Sequence, residues 1–193
     1  MRFPPLVLMI IAACAATLAQ AQNAEPAVEV SLSDETAQVR YIDPKRIGGS
    51  DDGELAYSIF LSEGRDVIGS ASALVGTRLR AGAFEIRIGP QAHAALLSEE
   101  NQDAFALAIG LDARLNLSSN RALAIVGSAF WSPDVLTFGS ADNLTDFMAR
   151  AELQLTDRLL GFAGYRWFEL DLLDREDRKL QNEIFAGVRW QLR

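Results

Sequence analysis

Three residues near the middle of the chain could form a hydrolytic site. His93, the single histidine, is followed by Ser98 and Glu99, and a serine, a histidine and a carboxylate are the groups with which many hydrolases attack esters. Their spacing argues against catalysis, because residues 93 and 98 point to opposite faces of any strand that contains both. We therefore expect His93 to be held by a neighbouring carboxylate, and we predict no catalytic residue and no enzymatic activity.

Composition disfavours metal, cofactor and nucleic-acid sites. With one cysteine and one histidine, the chain has too few ligands for a zinc site and cannot form a disulfide. It also lacks a phosphate-binding glycine loop. The 18 basic residues against 26 acidic ones give a net charge of −8, whereas nucleic-acid binding needs clustered Lys and Arg. We expect no metal, no cofactor and no nucleic-acid partner.

The N-terminal segment has the composition of an export signal. A positive charge precedes an apolar stretch over residues 6–18, and a small-x-small cleavage site ends at Ala21. We predict that residues 1–21 are a signal peptide and that residues 22–193 form a single domain. One alternative is open, because the residues that end at Cys14 resemble a lipobox, in which this cysteine would be acylated.

Beyond this segment the polarity of the sequence alternates with a period of two. From Phe105 to Leu117 every odd position is apolar, whereas the even positions are small, polar or charged. The stretches 145–155 and 183–192 alternate in the same way, and a helix with this spacing would scatter its charges around its whole circumference. A membrane strand needs only about 9–11 alternating residues, against roughly 18 apolar ones for a membrane helix. The pattern therefore predicts membrane-spanning β-strands.

The number of strands follows from the phase of the alternation. Apolar residues occupy even positions over 28–32 and odd positions over 37–41, which a hairpin that turns at Asp34-Glu35 explains. We predict an all-β fold, a closed up-and-down antiparallel outer-membrane β-barrel with ten strands favoured. Eight strands are the alternative, if residues 28–42 do not form two of them.

Connection lengths agree with this topology except at one place. Outer-membrane barrels have short turns on the periplasmic side and long loops outside. The second half of the chain follows this rule, with short turns at 116–120 and 156–157 and longer connections at 132–143 and 173–179. The stretch 43–53 is the exception, because the ten-strand count makes it a long periplasmic loop.

The three Tyr and three Trp residues all fall on the apolar parity of their strands. Aromatic residues of this kind collect at the two membrane interfaces of outer-membrane barrels, so we interpret the apolar face as lipid-facing. Five are predicted interface aromatics, namely Tyr41, Tyr57 and Trp190 toward the periplasmic ends of their strands, and Trp131 and Trp167 toward the external ends. The alternative is a soluble periplasmic lipid-binding barrel, whose apolar face would point inward.

The opposite parity carries acidic and basic residues in balance, which a narrow barrel would bring together across its lumen. Glu29, Arg40, Glu54 and Arg78 belong to this face. The predicted ion-pair network consists of Glu85, Arg87, Asp112, Arg114, Asp146, Arg150, Glu152, Arg166, Glu183 and Arg189. The favoured function is an outer-membrane β-barrel with an ion-paired, mostly plugged lumen and a structural or narrow-channel role. A lipid-modifying enzyme of the outer membrane is a second alternative.

Three segments resemble the YfaZ family of small outer-membrane proteins. They are Phe130-Trp131-Ser132-Pro133-Asp134, Gly164-Tyr165-Arg166-Trp167 and the C-terminal strand, which ends in Gly187-Val188-Arg189-Trp190-Gln191-Leu192. The last of these is similar to the assembly signal of outer-membrane barrels, with Leu192-Arg193 in place of a terminal Phe. The resemblance implies a β-barrel in the cell outer membrane and implies little about activity. In that setting we expect a monomer whose partners are outer-membrane lipid, lipopolysaccharide and, during biogenesis, the barrel-assembly machinery.

Overall fold

The computed structural model of the chain is an all-β structure. It describes residues 25–47, 50–64, 66–79, 83–98, 102–118, 121–139, 141–172 and 178–192, so the predicted signal peptide with Cys14 and also Glu99 lie outside the described residues. The strands are β1 (Ala27–Leu32), β2 (Thr36–Ile47), β3 (Ser50–Ser62), β4 (Val67–Leu79), β5 (Phe84–Leu97), β6 (Gln102–Asn116), β7 (Leu123–Ser132), β8 (Thr137–Gly139), β9 (Ala141–Gln154), β10 (Leu159–Leu172) and β11 (Arg178–Gln191).

Ten long strands close into an antiparallel barrel, and the three-residue β8 is an addition to its wall. Neighbours in sequence pair with each other around the sheet, and β11 pairs with β1 to close it. The prediction of a closed up-and-down barrel with ten strands is confirmed. The phase flip near the start of the domain is the β1–β2 hairpin, in which Leu32 lies opposite Ala37. We call the barrel end that carries Ala27 and Gln191 the lower end, and the opposite end the upper end.

Residues 43–47 and 50–53, expected as parts of a long loop, instead belong to two strands, and Gly48 and Gly49 lie outside the described residues. Pro44 of β2 lies opposite Glu54 of β3, and Lys45 lies opposite Gly53. The polar composition of this stretch does not prevent strand pairing, because the main-chain hydrogen bonds of a hairpin form whatever the side chains are. The expectation of a loop was therefore wrong, and the exception to the rule of short turns at this end of the barrel disappears.

The connection at 132–143, also expected as a loop, lies along the barrel wall. Pro133 ends β7, a 3-10 helix follows over Asp134–Leu136, and β8 then pairs with the upper part of β6, where Phe138 lies opposite Phe105. Proline interrupts β7 because it has no N–H to donate to the neighbouring strand. β8 therefore resumes the course of β7 toward the upper end.

The apolar parity faces outward. Each of the ten long strands exposes large apolar side chains on the outside of the barrel, and the exposed fraction reaches 60% at Ile109 and 74% at Ile184. A soluble lipid-binding barrel would have the reverse arrangement, with its charged side chains outside and its apolar ones inside. None of the helices in the described part of the chain is long and apolar enough to span a membrane.

The predicted interface aromatics all point outward or lie partly exposed. At the lower end, Trp190, Val28, Tyr41 and Tyr57 lie opposite one another on four adjacent strands, so the three aromatics share one row. Toward the upper end, Trp167 packs against Phe147 on the neighbouring strand, with ring centroids 6.3 Å apart, and Trp131 of β7 is 54% exposed. Their position at the two membrane interfaces stays a prediction.

Glycines on the inner face make room for large side chains on the next strand. A Cβ atom at Gly164 would lie 2.6 Å from Cβ of Arg150, its cross-strand partner. At Gly187 it would lie 2.5 Å from the ring of Phe162, which is also a cross-strand partner. The pairing of a small residue with a large one on the next strand therefore lets the large side chain pack inside the lumen. Gly164 serves Arg150 in this way, and its role in the Gly-Tyr-Arg-Trp segment is packing.

We predict that Gly164→Ala destabilises the barrel by about 1–3 kcal/mol, because the new methyl group meets main-chain and Cβ atoms that cannot rotate away. Gly69→Ala is the matched control, since a Cβ atom at Gly69 has nothing within 4 Å. The measurement is the midpoint of urea unfolding in detergent or lipid, followed by tryptophan fluorescence. Equal midpoints for the two variants would contradict this account of the inner glycines.

Candidate functional site

The lumen is the part of the barrel in which polar and apolar groups are enclosed together. Its upper part is what we call the apolar plug, which comprises Phe60, Ile68, Leu97, Leu144, Phe168, Leu170 and Leu180 with the alanines around them. Below the plug, two sets of ion pairs lie on facing walls, and a polar cavity lies between them toward the lower end.

The apolar plug fills the upper half of the lumen. Phe60 of β3 and Phe168 of β10 meet edge to face with ring centroids 5.7 Å apart, and both side chains are 1% exposed, as is Ile68. Because these strands lie on different sides of the barrel, the contact spans the lumen. Sequence reasoning missed this layer. The available signal was the upper half of β10, where both parities are apolar, as in Trp167-Phe168 and Leu170.

His93 lies beside the plug and has a different partner from the one predicted. Its side chain is 1% exposed, and its Nδ1 atom lies 3.1 Å from the hydroxyl of Ser70. The nearby carboxylate of Asp146 binds Arg166 instead. Ser98 is at the end of β5, where its backbone N–H donates to Asp66 at 3.1 Å. The structure therefore gives His93 a hydroxyl partner and does not bring it together with Ser98 in a hydrolytic arrangement.

Arg166 forms the floor of the plug. Its Nε and Nη2 atoms donate to the two carboxylate oxygens of Asp146 at 2.8 and 2.7 Å, the bidentate geometry that a planar guanidinium favours. Nη1 donates to Gln38 at 3.2 Å. The same guanidinium lies over the ring of Phe168 at 4.6 Å and near that of Phe60 at 5.4 Å. One side chain thus joins the apolar layer to the charged one.

Arg150 is the centre of the first set of ion pairs. Its guanidinium donates to both oxygens of Glu29, at 2.9 and 3.2 Å, and its Nε donates to Glu152 at 2.9 Å. Arg189 also donates to Glu29, at 2.6 Å, and Arg114 binds the second oxygen of Glu152. Three arginines therefore share two carboxylates, and these five side chains come from β1, β6, β9 and β11.

The second set of ion pairs lies on the opposite wall. Arg87 of β5 donates to Asp112 at 3.1 Å and to Glu85 at 3.3 Å, and its Nη1 atom lies 3.7 Å from Glu54. Arg40 of β2 donates to the other oxygen of Glu54 at 3.0 Å. Here two arginines share three carboxylates, so the balance of charge is the reverse of that around Arg150.

The residues of the predicted network fall into these groups with one departure. Glu85, Arg87 and Asp112 form one set, Arg114, Arg150, Glu152 and Arg189 another, and Asp146 pairs with Arg166. Glu183 lies opposite Arg166 in the β10–β11 register and accepts a hydrogen bond from Ser33, whereas Arg166 binds Asp146. Within the described ranges, no three His, Cys, Asp or Glu side chains are grouped so that they could hold a metal ion.

Two cavities lie between these layers. The upper one, of about 50 Å³, is lined in part by Ser58, Ser70, Ser72, Gln91 and Ser128, and a polar site of this size has room for a few water molecules. The lower one, of about 280 Å³, lies between the two sets of ion pairs and opens at the lower end. We call it the lower vestibule.

We predict that Arg150→Ala lowers the free energy of unfolding by about 3–5 kcal/mol, because it leaves the buried carboxylate of Glu29 without its bidentate partner. Arg46→Ala, which removes an exposed arginine of β2, is the matched control and should change it by less than about 0.5 kcal/mol. Urea unfolding of the refolded barrel measures both. A small effect of Arg150→Ala, similar to that of the control, would show that the ion pairs around Glu29 contribute little to stability.

The comparison with solved structures agrees with the fold. The barrel is similar to a bacterial polysaccharide outer membrane secretin, with a TM-score of 0.50 and 12% identity over 82% of this chain. It spans 56% of the secretin, and the likeness concerns the fold alone. Two structures of KdgM porin, one of them in complex with disordered oligogalacturonate, are similar with TM-scores of 0.49 and 9% identity over 88% of this chain and 100% of the porin.

The comparison with sequence families gives a match over nearly the whole chain. No curated protein matches the chain. The family model described as YfaZ precursor matches residues 8–192, which include the three segments that resemble this family and every strand of the barrel. The chain belongs to the YfaZ family.

Proposed function

We propose that the chain is a structural protein of the outer membrane whose lumen is closed at rest, or open only to a narrow path, and that it catalyses no reaction. The observation that carries this proposal is the apolar plug. Phe60 and Phe168 meet in the upper lumen, and Arg166 with Asp146 lies directly beneath them. An ion that crossed this layer would lose its water without finding a charged partner, which is costly.

The outward band of apolar side chains supports the membrane location. Soluble monomers rarely expose contiguous apolar surface on this scale. Here each of the ten barrel strands has large apolar side chains exposed on the outer surface of the barrel. In this orientation the lower end, with its short turns, faces the periplasm, and the upper end faces the exterior. The predicted signal peptide would deliver the chain across the inner membrane.

The absence of activity is part of the same proposal. His93 is enclosed beside the plug and is hydrogen-bonded to Ser70. The backbone N–H of Ser98 donates a hydrogen bond to Asp66. A lipid-modifying site would need a nucleophile and a base within hydrogen-bond reach of each other and of the substrate. The geometry around His93 supports a packing role in its place.

For the membrane location, we expect the expressed protein to fractionate with outer membranes. We also expect the unboiled protein to migrate differently from the boiled protein in a denaturing gel, because a closed barrel resists detergent until it is heated. Recovery in the soluble periplasmic fraction, with no shift upon boiling, would favour the soluble lipid-binding alternative.

For the closed lumen, we expect the wild-type protein to show little or no conductance in a planar bilayer. Phe60→Ala with Phe168→Ala should open the upper lumen and produce measurable current steps, because the rings that meet across it are removed. Phe105→Ala with Phe138→Ala is the matched control, since this aromatic pair, 6.1 Å between centroids, lies on the outer surface at the same end. Large steady conductance of the wild-type protein would overturn the proposal of a closed lumen.

A further inference from the structure

The lower vestibule has a charge opposite to that of the chain. Seven arginines line it against four carboxylates, whereas the whole chain has a net charge of −8. The arginines are Arg40, Arg87, Arg114, Arg121, Arg150, Arg158 and Arg189, and the acidic residues are Glu54, Glu85, Asp112 and Glu152. We propose that this vestibule is a binding site for a small oxyanion, a solute that carries phosphate or carboxylate groups and enters from the lower end.

The surplus of positive charge is concentrated on one wall. Around Glu29 and Glu152 three guanidiniums share two carboxylates, through Arg114, Arg150 and Arg189. A guanidinium has five N–H donors, and the hydrogen bonds of Arg189 to these carboxylates come from its Nε and Nη2 atoms. Its side chain is 22% exposed, so donors remain on the side of the cavity.

Two further arginines stand at the mouth of this wall. Arg121 lies in the turn between β6 and β7, and Arg158 lies in the turn between β9 and β10. Both line the vestibule and both are exposed. None of the ion pairs between described residues involves the guanidinium of Arg121 or Arg158, although Asp157 is exposed next to Arg158 in the same turn. An anion that enters the vestibule would therefore meet these two arginines first and Arg189 behind them.

The acidic side chains of the opposite wall are already engaged. Glu54 accepts from Arg40, and Asp112 and Glu85 accept from Arg87. This wall has three carboxylates for two arginines, so its one excess negative charge reduces the surplus of the first wall, with Arg121 and Arg158 counted, from three positive charges to two. A phosphate or carboxylate group fits the forked geometry of guanidinium donors, and a narrow cavity with low-dielectric walls concentrates the field of such charges.

The size of the vestibule limits the ligand to a small solute. Its volume of about 280 Å³ is close to the lower limit of roughly 300 Å³ for small-molecule sites. The apolar plug above Arg166 would stop a charged solute from going further. The site thus binds from one side, and this inference goes beyond the proposed function because it needs no conductance through the barrel.

Isothermal titration calorimetry on the refolded full-length barrel in a neutral detergent at low salt tests the proposal. Pyrophosphate and citrate are the probes, and maltose is the uncharged control. We expect saturable binding of at least one anion, weakened by added salt because the attraction is between charges, and no binding of maltose. Binding of pyrophosphate alone would identify a phosphorylated solute, and binding of citrate alone a carboxylated one.

Two matched double variants separate a site from general attraction. Arg121→Gln with Arg158→Gln should weaken binding about tenfold, because two charged donors at the mouth are lost. Lys45→Gln with Arg46→Gln removes the same charge from the lower part of β2, outside the vestibule lining, and should leave the affinity unchanged. Heat-dependent gel mobility verifies that each variant is folded. No binding of either anion by the wild-type protein, or equal loss in the two double variants, would overturn the proposal.

Arginine modification gives an independent measurement on the wild-type protein. Phenylglyoxal should react with Arg121 and Arg158, and saturating anion should protect both residues while Arg46 stays reactive, as read by peptide mass spectrometry. Absence of protection at both positions would also overturn the site. Neither result depends on whether the lumen conducts, so a failure here is distinguishable from a failure of the closed-lumen proposal.

Discussion

The contact of Arg150 with Glu29 and Glu152 is the interaction on which the interior depends. Glu29 lies on β1 and Arg150 on β9, so the pair joins distant parts of the wall across the lumen. Arg150 is 6% exposed, and a guanidinium removed from water in this way is tolerable only where carboxylates occupy its donors. Gly164 must be a glycine to leave space for it, and Phe162 packs under it at 4.5 Å. Neighbouring positions are thus constrained by one buried charge.

The interior changes in character along the barrel axis, and this gradient has functional consequences. The upper half is apolar around Phe60 and Phe168, and the lower half is charged and contains the lower vestibule. Arg166 stands between them because a guanidinium can face an aromatic ring and bind a carboxylate at once. Under the proposed closure of the upper lumen, the lower vestibule would have one mouth, a shape suited to binding more than to passage.

Alternation of polarity was sufficient to predict the wall but not its contents. The hairpin at Asp34-Glu35 could be inferred because a change of phase has a direct geometric meaning in a two-residue repeat. The strand character of residues 43–47 and 50–53 could not, since these residues are nearly all polar, glycine or proline and show no alternation of polarity that would mark a strand. The apolar plug was missed for a related reason. Phe168 and Leu170 have the same parity as the charged inner residues. Parity shows which residues face the lumen, but it does not show which of them contact each other there.

The sequence by itself determined which residues face inward and which outward, because the period of a strand is a local property of the chain. It also determined that acidic and basic residues share the inner face. Only the tertiary structure decided how they pair, since partners such as Glu29 and Arg150 are 121 residues apart and meet through the closure of the barrel. The same closure placed Glu183 next to Ser33 and gathered Arg121, Arg158 and Arg189 at one mouth. Such neighbours depend on the register and curvature of the whole sheet, which no segment of the sequence contains alone.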